Sequence, residues 1–124
     1  MTDQTQPVSA ADLRNELSRH YGSETMFRHS LVRAFNYTEG VQCFLRKAEA
    51  YWFVDIAATE GFALMKKHEF ILVKLVSAGS ASAVFFEDGN GKELGRHSLT
   101  FCSTPEGTWE FFLENNVLCL PSER

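Results

Sequence analysis

Asp55 is the residue in this chain whose type and setting most invite chemistry. From Val41 onward apolar residues recur at helical spacing, and positions 41, 45, 48, 52, 55 and 59 share one face. That phase sets a carboxylate beside Trp52, on a stripe with Val41, Leu45, Ala48 and Thr59, and predicts that Asp55 faces inward. A buried carboxylate needs a partner, or its protonated form is favoured. Two roles follow. Asp55 acts as a general acid/base or anchors a ligand cation, or it clamps backbone N–H groups or a cation such as Arg28.

Arg28 and His29 come next. At the end of an element they suit an anion, and an imidazole can shuttle protons near neutral pH. Asp55 with His29 is therefore the candidate acid/base pair, in a pocket between helices and sheet. Arg28 with Arg33 is the candidate for a specific nucleic-acid contact. Tyr51, Trp52 and Phe53 offer a ring platform for a base or ligand. Three consecutive residues cannot share one helix face, so Trp52 is expected in the core, with Tyr51 or Phe53 on the sheet or a second subunit. The candidate binding set is Arg28, His29, Tyr51, Trp52 and Asp55.

Other chemistries find little support. The histidines His20, His29, His68 and His97 form no HxH, HxxxH or HExxH pattern, and Cys43, Cys102 and Cys119 have no zinc spacing, so no metal is expected. An odd, dispersed set of cysteines reads as three small reduced core side chains. Ser23 and Ser30 lack a nucleophile-elbow context. No Gly-rich loop leads from a strand into a helix, so no cofactor is expected. Asp88-Gly89-Asn90-Gly91 lacks the downstream acids of a calcium loop and reads as a hairpin turn.

The elements that must position these residues fit one domain of 124 residues. Residues 1–8 are polar and expected to be disordered, 9–121 form the domain, and 122–124 a tail. Ser9 N-caps a helix from Ala10 to His20 that Gly22 ends. Arg33–Tyr37 alternates as a short strand. Thr38 caps the second helical region, which no Gly or Pro interrupts before Gly61, although it can bend near Glu49. Residues 62–65 add a turn.

The period then changes. His68–Val76 reads as a strand buried on much of both faces, Ala83–Glu87 as its neighbour, and Lys92–Cys102 as a return strand with a bulge at Gly95. Trp109–Leu113 and Val117–Leu120 read as a last hairpin, a helix over Trp109–Glu114 being the competing reading. The prediction is α+β: helices on one face of an antiparallel β-meander of about four to six strands.

Several stretches resemble an uncharacterised family of small bacterial, phage and plasmid-borne proteins, a domain of unknown function. They are Gly22-Ser23-Glu24, Phe27-Arg28-His29, Tyr37-Thr38-Glu39-Gly40-Val41, Ala50-Tyr51-Trp52-Phe53-Val54-Asp55, and Asn115 to Glu123, ending Leu120-Pro121-Ser122-Glu123. Glu49 stands where the family often has Gly, which suggests a more continuous helix here. Arg124 ends the chain where Tyr is typical. The resemblance implies a compact domain of bacterial or mobile-element origin and no particular activity.

A formal charge of −4 makes a generic nucleic-acid partner a poor expectation, since such binding rests on neutralising phosphates. No apolar run is long enough to span a membrane, and the polar N-terminus lacks a signal peptide's pattern, so the expected location is cytoplasmic. The function left standing is a small non-enzymatic interaction module, an accessory protein of a mobile element. Its expected partner is a protein or a second copy of itself.

Overall fold

The computed structural model describes residues 9–19, 26–78, 81–99 and 104–123. The expectations for residues 1–8, His20, Gly22, Ser23, Cys102 and Arg124 lie outside them. Helix α1 runs Ala10–Leu17, shorter than expected, and Ser9 caps it by accepting from the Asp12 N–H at 3.0 Å. Strands β1 (Met26–Arg28) and β2 (Asn36–Thr38) follow as an antiparallel pair. The expected strand at 33–37 thus moves to 36–38. The turn between them holds Arg33 and Ala34, and the His29 N–H donates to Phe35 O across it at 2.9 Å.

Helix α2 spans Glu39–Lys47, capped by Thr38 and burying Val41, Phe44 and Leu45. It stops just before Glu49, where the sequence allowed a bend in an otherwise continuous helical region. Glu49 has a φ of 54°, the Ala50 N–H donates to Leu45 O at 2.9 Å, and the Glu49 N–H points to Arg46 O at 3.4 Å. These two bonds form the Schellman closure that usually places glycine in the left-handed position. Glycine is therefore the residue this backbone prefers at position 49, and Glu49 occupies the place without lengthening the helix. Replacing Glu49 by Gly should stabilise the fold by about 1 kcal/mol, read from urea unfolding, since a side chain at this φ carries a cost that Gly avoids. A destabilised variant would refute that account.

Helix α3 restarts at Tyr51–Ile56, followed by a π-turn at Ala57–Gly61 and a short α4 at Phe62–Leu64. Among the described residues the sheet has seven strands, adding β3 (Phe70–Ser77), β4 (Ser82–Glu87), β5 (Glu93–Leu99), β6 (Gly107–Glu114) and β7 (Val117–Cys119). Its order is β1-β2-β7-β6-β3-β4-β5. It is mixed, because β2 pairs with β7 in parallel, so the expected antiparallel meander of four to six strands is corrected on both counts. Local patterning shows strands one by one. The β2–β7 pairing instead joins segments some eighty positions apart, and three-residue strands carry too little alternation to be read.

Strand β3 alternates, with Ile71, Val73, Leu75 and Ser77 buried and the residues between them half-buried, so it is not enclosed on both faces as expected. Residues 109–114, the competing helix, lie in β6. Phe44 and Phe53 meet Phe111 at ring distances of 5.0 and 4.8 Å, seating α2 and α3 on the buried side of β6. Asp88 does form the β4–β5 turn, its carboxylate accepting from the Asn90 and Lys92 N–H groups, which hold its pKa below the usual value. The register slips between Phe86 and Glu87, opposite Glu93 and Gly95.

The two neighbours of β6 cover it unequally. Strand β7 pairs only with Phe112–Glu114, whereas β3 pairs with all of Gly107–Glu114.

Candidate functional site

His29 lies at the end of β1 and Asp55 on α3, and the fold brings them together: Nε2 is 2.8 Å from Oδ1. The other ring nitrogen fixes the tautomer. Nδ1 faces the backbone N–H groups of Leu31, at 3.2 Å, and Val32, at 3.0 Å, so it must present a lone pair. The proton therefore sits on Nε2 and is donated to Asp55. The imidazole shapes the turn that follows it much as an Asx side chain would. Its edge also meets Phe35, at a ring distance of 6.3 Å.

Burial is the reverse of the expectation. The His29 side chain is 4% exposed and that of Asp55 66%. Asp55 faces outward because the left-handed residue at 49 resets the helical phase, so positions 41, 45 and 48 do not continue into 52, 55 and 59. The carboxylate's partner is His29, not Arg28. Arg28 and Arg33 are both exposed. Both nitrogens of this buried ring are thus engaged within the fold, one by the following turn and one by Asp55.

The same phase shift reorders the aromatic triplet. Phe53 is fully buried, Trp52 half-buried and Tyr51 exposed, so Phe53 takes the core place expected of Trp52. The Tyr51 hydroxyl accepts from Gln42 Nε2 at 2.8 Å. Across from it, Tyr37 stacks on Phe27, with ring centroids 5.7 Å apart. Burial, then the nearby Tyr51 and Asp55, push the Tyr37 phenol above its usual value. Its contribution to stability is thus complete below about pH 10 and lost as the pH rises through the folded-state value. Phenolate absorbance titrations of wild type and Tyr37→Phe should differ by one phenol ionising above that pH. A difference that titrates at or below it would contradict the assignment.

Sequence reasoning missed two features. The first is at the C-terminus, where the expected tail docks. Pro121–Glu123 forms a 3-10 turn, and the Glu123 carboxylate accepts from Thr38 Oγ1 at 2.5 Å, the Gly40 N–H at 3.0 Å and the Leu120 N–H at 3.0 Å. An anion at the first turn of α2 suits the helix dipole. Two stretches singled out in the sequence, Tyr37 to Val41 and Leu120 to Glu123, meet at this point.

The second is an open groove of about 500 Å³ between α1, β6 and the C-terminal turn, walled by Leu17, Trp109, Phe111, Leu120 and Pro121. Arg14 lies across it, its guanidinium 4.3 Å from the Trp109 ring centroid and donating to Thr108 O at 3.3 Å. Nothing in the spacing around Arg14 separates it from an ordinary solvated helix residue. Only the fold joins it to Trp109, whose indole N–H donates to Pro105 O at 3.0 Å.

Elsewhere, His97 Nδ1 lies 2.7 Å from Glu60 Oε2. Cys43 is buried, with its thiol pKa pushed up by that burial, while Cys119 is only half-buried. Among the described residues no three His, Cys, Asp or Glu side chains cluster as metal ligands, and no helix is long and apolar enough to cross a membrane.

No curated protein and no solved structure matches the chain. A protein family does match, over residues 11–124, which takes in α1, the His29–Asp55 pair, the groove and the C-terminal turn. The chain belongs to the family of unknown function DUF6876.

Proposed function

We propose that this chain is a non-enzymatic binding module that receives a protein partner in the groove between α1 and β6. The observation that carries the reading is that groove: an apolar channel of about 500 Å³ left open beside a stacked Arg–Trp pair. Pockets of that size with a few polar groups are the usual places for ligands. The polar groups that could have done chemistry are occupied by the fold instead, His29 by its turn and Asp55, Glu123 by the start of α2. The resemblance to small bacterial, phage and plasmid-borne proteins favours an accessory role in a bacterium or its mobile elements.

A photo-crosslinking residue placed at Ser18, on the groove, and at Lys66, exposed and not among the groove's residues, tests this in bacterial cells. The reading expects a discrete adduct from position 18 and none from 66, with an adduct at twice the chain mass identifying a second copy. No adduct at 18, or the same adducts from both sites, would overturn it.

A further inference from the structure

The backbone of β6 specifies more about the occupant than the groove's walls do. In an antiparallel ladder each residue aims its N–H and C=O to one side and its neighbour aims them to the other. Asn115 and Asn116, with φ of 52° and 62°, form a two-residue turn, so Glu114 and Val117 close it as a hydrogen-bonded pair. Glu114 and Phe112 therefore direct their backbone groups towards β7. By the same alternation Glu110 and Thr108 aim theirs in that direction too, whereas Trp109 and Phe111 turn to β3.

Strand β7 ends at Cys119, opposite Phe112. Continuing that register sets Pro121 opposite Glu110, and proline has no N–H to give. From there the chain leaves the sheet for the 3-10 turn that Glu123 holds on α2. Thr108 O is taken by Arg14. The N–H and C=O of Glu110 and the N–H of Thr108 are left facing the groove, and both residues are exposed. The groove thus lies along a stretch of β6 that β7 leaves unpaired, with a polar backbone edge on one side and apolar side chains around it.

We infer that the occupant is an extended peptide segment of the partner, added as a strand to β6 in the line of β7. This rests on the reading of the groove as the binding site and names what enters it. Main-chain bonds to Glu110 and Thr108 supply affinity without regard to sequence, and alternate side chains supply selectivity. The segment's inward side chain lies between Leu17 and Leu120 and must be apolar. At the Thr108 end, the Arg14 guanidinium favours a carboxylate beside it. The preferred segment therefore alternates, with an apolar residue under α1 and an acidic residue or chain terminus next to Arg14.

Two measurements on the full chain test the inference. Amide hydrogen exchange by NMR should show Thr108 and Glu110 exchanging roughly 10-fold or more faster than Trp109 and Phe111, which bond to β3. Protection of all four in the free chain would overturn it. A displayed library of random heptapeptides should then yield acidic, alternating binders that slow exchange at Thr108 and Glu110. N-methylating their alternate backbone amides should weaken binding roughly 10-fold, as should filling the groove with Ser18→Trp. Binders that leave those two amides unprotected, or no binders at all, would overturn the strand proposal. If the Ser18 adduct persists in that case, the groove still binds a partner of another shape; if it is absent too, both readings fall.

Discussion

His29→Ala should lower the free energy of unfolding by about 2–4 kcal/mol, a loss larger than expected for removing a catalytic side chain from a surface cleft. Three effects add. A fully enclosed ring leaves a cavity, the Leu31 and Val32 N–H groups lose their acceptor, and Asp55 loses its donor. The ring's two ends can be separated by substitution. Asn can offer a carbonyl oxygen near the place of Nδ1 but cannot reach Asp55, whereas Gln can reach Asp55 and leaves the turn without its acceptor. Losing the acceptor of two part-buried N–H groups costs more than losing one bond to an exposed partner, so His29→Asn should retain more stability than His29→Gln. Asp55→Asn should cost less than about 1 kcal/mol, since its carboxylate is mostly in water. Urea unfolding of the four variants checks the order. If Asp55→Asn proved as damaging as His29→Ala, the pair would be acting as one buried unit, contrary to the unequal burial of its two side chains.

How much of this was legible in the sequence depended on whether the signal was local. Ser9 and Thr38 announced their helices because an N-cap is a contact over three residues, and Asp88 to Gly91 announced a turn for the same reason. The α+β class followed from the change of period near residue 68. Residue type was enough to single out His29 and Asp55, but the inward orientation expected of Asp55 was wrong. Helical phase was counted through Glu49, and a single left-handed residue there turned Asp55 outward and exchanged Trp52 for Phe53 in the core. A bend near Glu49 was expected, but with glycine, the usual marker of a left-handed stop, missing there, nothing in the sequence turned that bend into a full break. Arg14 and Trp109 are ninety-five positions apart and meet only once α1 and β6 are packed, so no spacing could reveal them. The parallel contact of β2 with β7 was hidden in the same way.

The second large effect lies where the C-terminus closes on α2. A methyl group added at Gly40 would sit 2.6 Å from Glu123 Oε1 and 2.6 Å from a methyl of Leu120, closer than real contacts allow. In an unencumbered helix Gly→Ala stabilises by about 1 kcal/mol. Here Gly40→Ala must push the Pro121–Glu123 turn away, and with it the three hydrogen bonds of Glu123. The expected net cost is about 2–3 kcal/mol. Glu123→Ala should cost a similar amount, because it leaves the Gly40 and Leu120 N–H groups and the Thr38 hydroxyl without their acceptor. The decisive variant is the double one. Once Glu123 is gone, the added methyl no longer displaces a bonded carboxylate, and the helix regains part of its preference for alanine. Gly40→Ala in the Glu123→Ala background should therefore cost at least about 1 kcal/mol less than in wild type. Simple additivity would mean that the two residues do not act on each other. It would also leave the missing N–H of Pro121 as the sole cause of the chain's departure from the sheet, whereas on the present account the carboxylate that requires a glycine at position 40 also holds the turn that leaves the edge of β6 open.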